Sequence, residues 1–542
     1  MKSNQRKLRE NKVMRYIARP AFAMLLATLI WGQTVSAQKA SSSHTPHFKN
    51  LQEFAAWVQS NHKAPFDRDS ARLPEGGAAA ILNQLSRRTT AAPAVSGHNV
   101  KINRDRDPWP KAEIAVGVDP TDGNIVVMSN DFRENWDHMF YHVSTTGGTT
   151  WSDDSMVGGD DPNTGFVPLT FESDPGVGFD DKGHSFLSTI TGNSIVDFTN
   201  LYENFDTQII VAEGFNHGTY SNLLPTVIDT QPCIFTLTTS NCPASLDKPL
   251  ITVDSVPGSP NNGTVYVYYT VFCNASPCAY GTGTIPAFGS AIVEAHSSGA
   301  GVPFSSPQIV SGSLSNEQFS YMVVDSHGVP HAFFDDFGAI INMYMSTLKA
   351  GVWVVNPNPV ATFNPTGTAS PNWGFRINGT IAPGCGIHVD TAYCAFSSNQ
   401  VGTGPTESGM SAYLAAINTK NGKSTISRVN NDAFNDSADH IFPWATTKTD
   451  GSVYVGFYDD RDDPFLTKVK YWVAKSTDGG KTFPTQMAVS DTSFNPCVGF
   501  PGCGFFGDYT QIAAGNDGVV HAAWSDTRDG VSMQIFGQAI SW

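Results

Sequence analysis

Positive charge is what this chain has least of. Its 542 residues hold 33 Lys and Arg against 49 Asp and Glu. Seven of those bases (Lys2, Arg6, Lys7, Arg9, Lys12, Arg15, Arg19) and one acid, Glu10, fall within residues 1–37. The remainder therefore carries 26 bases and 48 acids, a net charge of −22. So acidic a body argues against nucleic acid and anionic membrane surfaces as partners. From residue 99 onward only Arg104, Arg106, Arg133, Arg376, Arg428, Arg461 and Arg528 are available to any site that depends on a guanidinium. Long apolar runs are missing as well. The longest, residues 21–32, is too short to cross a bilayer, so no membrane span is expected. There is no C-x-x-C, and His138, His142, His184, His331, His388 and His521 lack metal-ligand spacing. No metal and no cofactor are expected. The absence of a G-x-y period, together with 11% aromatics, excludes collagen and wholesale disorder.

What is present begins with an export signal. Residues 1–37 run from a basic segment through the apolar stretch to Val35-Ser36-Ala37, the pattern of a signal peptide. An uncleaved anchor is the competing reading. The mature protein is expected to be secreted, either extracellular or periplasmic. Residues 38–98, rich in Ser, Ala, Gln and Asn, read as a partly disordered leader or linker, and 99–542 as the folded body. Eight cysteines lie in four close pairs: Cys233/Cys242, Cys273/Cys278, Cys385/Cys394 and Cys497/Cys503. Pairing between neighbours is the simplest of the many connectivities that eight cysteines allow.

From residue 114 the chain repeats a unit in which an apolar strand ends in Asp, a tight turn ends in Gly, and an alternating strand follows. The turn glycines are placed at 123, 183, 263, 328, 386, 451 and 518, about 66 residues apart on average. That period suits four short strands, and such units bury their faces only against one another. The expectation is therefore an all-β fold, a β-propeller of four-stranded blades. Seven blades are preferred over six, and an array of β-sandwiches is the competing reading. The last copy lacks room for a fourth strand after Phe536, and Asn99-Val100-Lys101-Ile102-Asn103 can supply it and close the ring.

Two copies carry a further motif. Ser144-Thr145-Thr146-Gly147-Gly148-Thr149-Thr150-Trp151 and Ser476-Thr477-Asp478-Gly479-Gly480-Lys481-Thr482-Phe483 match the Asp-box, S-x-D-x-G-x-T-[WF], with Thr146 replacing Asp in the first. Such a box is a turn in which Asp accepts backbone N–H groups and the aromatic packs beneath. With these motifs the chain, over roughly 109–542, resembles the sialidase-like superfamily of Asp-box (BNR-repeat) β-propellers. That resemblance makes Ser144, Gly148, Trp151, Ser476, Asp478, Gly480 and Phe483 structural. It implies a glycan or other acidic small-molecule ligand, and possible turnover by an exo-glycosidase releasing an acidic sugar.

The family holds its substrate's carboxylate with arginines and uses an Asp acid/base and a Tyr–Glu pair. Its first blade runs through D-x-R, a nearby Asp, and then a box. Here Asp131-Phe132-Arg133, Asp137 and the box at Ser144 follow that order, as do Asp459-Asp460-Arg461, Asp462 and the box at Ser476. Asp526-Thr527-Arg528 lacks the box. The resemblance thus implies Asp137 and Arg133 as catalytic, with Arg461, Arg528 and Arg376 binding substrate. The family's F-R-I-P arginine is replaced by Pro110 in the first repeat and Ile441 in the sixth. Phe375-Arg376-Ile377-Asn378 is the one similar stretch, and no Tyr–Glu pair can be assigned. The bland reading of D-x-R is a turn whose Arg pairs with its own Asp. The alternative function, from a different class, is a non-catalytic propeller binding carbohydrate or protein at the cell surface.

Overall fold

A computed structural model describes residues 98–542 except 106, 134–136, 153–154, 157–170, 198–201, 215–224, 237–239, 366–371, 378–381 and 517. The expected leader and signal segments lie outside the described residues. Seven antiparallel sheets follow one another in sequence order and form the blades of a propeller. Their first strands, which line the central channel, are Lys111–Val118, Phe171–Phe179, Ala244–Val253, Glu317–Val324, Gly384–His388, His440–Thr447 and Ile512–Ala514. Blade 1 continues through Ile125–Asp131, His138–Ser144 and Ser155–Met156, and blade 6 through Val453–Asp459, Lys470–Ser476 and Thr485–Ala488. The sheets of blades 2 and 4 each gain a fifth strand, Ser240–Asn241 and Ala361–Phe363. Among the described residues the only helical turn is the short 3₁₀ segment Pro501–Cys503.

The ring closes as the sequence arithmetic requires. Blade 7 consists of Ile512–Ala514, Val520–Asp526, Gln534–Ile540 and, as its outer strand, Val100–Lys101 from the start of the body. Val100 lies opposite Gly537 and Lys101 opposite Phe536. Asn103 then locks the seam: it donates to Gln534 Oε1 (2.6 Å) and accepts the Ile535 N–H (2.9 Å).

Six of the expected turn glycines (123, 183, 263, 328, 451 and 518) have φ between 75° and 90°, the left-handed region that tight turns need. Gly386 is a correction. It lies inside the strand Gly384–His388, and the turn of that blade is made by Val389 (φ 56°) and Asp390. Gly386 is small for another reason: a Cβ there would come within 2.9 Å of the Thr446 backbone in blade 6.

The core is a series of clusters between adjacent blades, as expected for sheets stacked face to face. Phe186, Ile209 and Val211 of blade 2 pack with Ile251, Val265 and Val267 of blade 3. Disulfides join Cys273–Cys278, Cys385–Cys394 and Cys497–Cys503, each between sequence neighbours. The fourth expected pair is Cys233 with Cys242. Cys242, half-buried just after the strand Ser240–Asn241, is disulfide-bonded. The side chain of Cys233, the partner expected from sequence, lies outside the described residues, so the pairing of Cys242 with it stays an expectation. Among the described residues no helix is long and apolar enough to cross a membrane.

Candidate functional site at the centre of the ring

Each inner strand runs from one face of the ring, here called the mouth, to the other. In each blade the first and third strands begin, and the second ends, on the mouth face. The glycine turns and the two box segments lie on the opposite face.

Near the mouth the inner strands share a distortion. Glu113, Asp174, Lys248, Phe319 and Phe442 all have φ between 50° and 59°, and the strand register shifts at each. A bulge of this kind bends the strand and re-aims a side chain. Holding non-glycine residues there costs roughly 1–3 kcal/mol each, and such strain persists where the surroundings over-determine it. Three of the five bulge residues are charged, and they meet at the axis.

Lys248 Nζ lies 2.5 Å from Asp508 Oδ2, and Arg376 Nη2 lies 2.8 Å from the same oxygen. The Lys248 N–H reaches Asp174 Oδ2 (3.2 Å). Asn130 bridges two blades: its amide donates to Glu113 Oε2 (2.9 Å) and to Ser173 Oγ (3.0 Å), and its carbonyl accepts the Asp174 N–H (3.0 Å). Gly507 (φ 97°) lets the chain pass close by, because a Cβ there would sit 3.1 Å from the Glu113 nitrogen. The Tyr509 hydroxyl donates to the Pro175 carbonyl (2.9 Å), tying blade 7 to blade 2. Further along the strands, Tyr321 of blade 4 meets Trp444 of blade 6 edge-on at 5.0 Å, and Trp444 packs on Tyr509. These rings form an aromatic floor.

Four carboxyl groups (Glu113, Asp174, Asp247, Asp508) thus share the centre with two cations, Lys248 and Arg376. Burial, with the Asp174 charge beside it, pushes the Glu113 carboxyl well above its usual range. Burial does the same to Asp247, and Lys248 only partly offsets it. For Asp174 burial is outweighed by Lys248 and by hydrogen bonds from Glu113 and Asp247, so its carboxyl is held low. Burial also opposes the charge of Lys248, but Asp508 and Asp174 raise it well above an ordinary lysine. The resulting unit is one carboxylate, Asp174, flanked by two carboxyl groups that burial makes readier to hold a proton than an ordinary Asp or Glu. That is an arrangement for delivering a proton to a bound molecule.

Of the residues expected from sequence, Arg376 joins this centre. Asp137 is half-buried at its edge, where burial and the nearby Asp174, Asp131 and Glu172 charges raise its carboxyl despite a hydrogen bond from Ser173. The other three arginines are held in their own turns. Arg133 Nη2 lies 2.5 Å from Asp131 Oδ2, with the guanidinium 3.8 Å over the Phe140 ring. Arg461 Nε lies 2.5 Å from Asp459 Oδ2, stacked over Trp472, and Arg528 Nη2 lies 2.6 Å from Asp526 Oδ2, stacked over Phe536. In all three turns the Asp also accepts the Arg backbone N–H, at 2.8–2.9 Å.

The box segments build matching turns. Ser144 Oγ accepts the Gly148 N–H and Ser476 Oγ that of Gly480, both at 2.9 Å, while Trp151 and Phe483 are buried beneath. Asp478 accepts the Lys481 and Thr482 N–H groups, whereas Thr146 accepts only that of Thr150.

Sequence reasoning missed Glu113, Asp174, Asp247, Lys248 and Asp508. A signal existed. Glu113, Asp174, Lys248 and Phe319 each stand six residues before the turn aspartate of their repeat (Asp119, Asp180, Asp254, Asp325), and Pro follows Asp174, Lys248 and Phe442. Charged residues recurring at one position of a repeat mark one radius of the ring.

No family profile matches the chain, and no characterised protein matches it in sequence. Similar solved structures include a protein of unknown function from Dyadobacter fermentans, 12% identical, with a TM-score of 0.40 over 67% of this chain and 93% of that one. They also include the Hadza microbial sialidase Hz136, 13% identical, with a TM-score of 0.39 over 75% and 73%. A third is a GH93 α-L-arabinofuranosidase of Fusarium graminearum in complex with arabinobiose, 10% identical, with a TM-score of 0.40 over 82% and 98%.

Proposed function

We propose that this protein is an exported, glycan-acting β-propeller whose active centre is the carboxyl cluster at the mouth of the ring. The observation that supports it best is the carboxylate of Asp174 between the raised acids of Glu113 and Asp247. Glycoside cleavage requires a carboxylic acid to protonate the leaving oxygen and a second carboxyl group to work on the sugar or on water. Asp247, the more exposed of the two acids, is the proton donor in this reading. Lys248 and Arg376 fix Asp508 and hold the cluster's geometry. The box turns keep the structural role that the sialidase-like resemblance gives them. Export is supported by the N-terminal segment and by the disulfides.

The three D-x-R arginines, committed to their own aspartates, favour a second reading in which the mouth binds glycan without turnover. A panel of chromogenic aryl glycosides separates the two. Turnover by wild type that falls at least ~10²-fold in Asp247→Asn supports the enzyme. Binding without turnover supports the module, and neither activity would sink the glycan reading.

A further inference from the structure

The charges at the mouth bear on which sugars it accepts. The arginines around it are already engaged by carboxylates: Arg133, Arg461 and Arg528 within their turns, Arg428 with Glu407 and Asp432, and Arg376 with Asp508. Arg104 is held elsewhere, donating to the Trp151 carbonyl (2.6 Å). Lys248 is likewise engaged by Asp508. Four carboxyl groups against two cations leave the centre neutral if Glu113 and Asp247 keep their protons, and negative if they do not. In neither state is there surplus positive charge for an incoming carboxylate.

The same centre offers what a sugar hydroxyl needs. Asp508 Oδ1 is buried and makes no hydrogen bond, although its partner oxygen holds both cations. A hydroxyl can donate to such an oxygen, whereas an anion can only repel it. Beside it, the Arg376 guanidinium lies 4.7 Å over the Phe505 ring. Phe500 packs edge-on against both Phe505 (5.1 Å) and Phe132 (5.3 Å), and all three rings are half-buried. Apolar ring faces flanking a few fixed polar groups make a surface for the C–H face of a sugar.

We infer that the mouth takes an uncharged sugar, with Asp508 receiving one of its hydroxyls and the Phe132–Phe500–Phe505 rings supporting the ring or its neighbour. This rests on the glycan-acting reading and narrows it away from the acidic sugars that the sialidase-like resemblance implies.

The test is calorimetric binding of two sets of oligosaccharides to the full chain: neutral ones derived from arabinan, xylan and glucan, and anionic ones, sialyllactose and oligogalacturonate. At least one neutral set is expected to bind, with the anionic sets roughly tenfold weaker or more. Phe505→Ala, at a half-exposed position that does not endanger the fold, is expected to weaken neutral binding at least roughly fivefold with its melting temperature retained. Asp508→Asn, once shown to fold, should weaken neutral binding and narrow the gap to the anionic sugars. Anionic binding equal to or tighter than neutral overturns the inference while leaving the glycan reading intact, as does neutral binding unmoved by Phe505→Ala. Binding of neither set overturns both.

Discussion

Lys248 and Asp508 meet at 2.5 Å although they stand 260 residues apart and belong to blades 3 and 7. Those blades are not neighbours in a ring of seven, so the ion pair is made across the axis. Both groups are almost fully buried, and breaking one side of such a pair strands the other charge. Asp508→Asn, which strips two cations of their shared partner, is expected to destabilise the fold by roughly 3–5 kcal/mol in urea unfolding. Lys248→Met should cost less, because Arg376 still neutralises Asp508. The double variant should fall well short of the sum, as expected for contacting residues.

On the proposed function, the raised acids set the pH dependence of turnover. Glu113 and Asp247 keep their protons in the folded protein where the unfolded chain, with ordinary carboxyl groups, has released them. In that reading the Asp247 donor holds its proton to higher pH than an ordinary Asp, and kcat/KM is expected to fall as pH rises through its raised pKa. The same groups contribute stability that is full below the unfolded carboxyl range near pH ~4 and is lost as pH rises toward their folded values. Glu113→Gln should flatten the dependence of Tm on pH above that range, and an unchanged slope would remove Glu113 from this account.

His440 behaves in the same direction through a different cause. Burial opposes its charge, but Asp459 and Asp432, 3.3 and 3.0 Å from its Nε2, push its pKa up to about 10. Its contribution is full below the unfolded histidine value near 6.5 and is lost as pH climbs through about 10. Melting curves from about pH 7 to about pH 10 should show wild type losing stability over this window. His440→Gln should be less stable at neutral pH and lose less than wild type across it.

The seam of the ring can be opened one bond at a time. Asn103 is buried and serves both Gln534 and the Ile535 N–H, so Asn103→Ala leaves a buried donor and acceptor unpaired. A loss of roughly 1–3 kcal/mol is expected from thermal or urea unfolding.

The two box turns offer a gain. Asp478 gathers two backbone N–H groups and the Thr482 hydroxyl, which hold its carboxyl well below the usual range, while Thr146 gathers one. Thr146→Asp is expected to raise Tm slightly, by about 0.5–1.5 kcal/mol of stability, and Asp478→Ala to lower it by a similar amount.

The ring was legible because its requirements are local. Gly123, Gly183 and their counterparts need a left-handed turn, and β-branched alternation between them marks the strands. The missing fourth strand after Phe536 pointed back to Val100 and Lys101. At Gly386 sequence and structure part, because a glycine needed for packing against Thr446 looks, in sequence, like a glycine needed for a turn. The centre was harder to read. Lys248 and Asp508 carry no motif around them, and their relation exists only once seven radii converge. The D-x-R stretches recur as candidate clamps would, yet Arg133, Arg461 and Arg528 each pair with the Asp of their own turn. In a ring, a residue's repeat position fixes its distance from the axis, and that was the signal to follow.

Because blade 7 combines residues 100–101 with 534–540, the sheet that seals the ring is assembled from the two ends of the folded body. On a ribosome or a translocation pore, Val100 and Lys101 emerge ahead of the blades and have no partner until nearly all of them have followed. Six blades can stack in order as they appear, by contacts close in sequence. The seal is the most distant contact in the molecule and so the slowest to find by chance. An interrupted chain would therefore be an open arc whose last edge strand is exposed and whose acidic centre is incomplete, lacking Asp508 altogether. Synthesis through the seventh blade is the condition for assembling the central cluster at all.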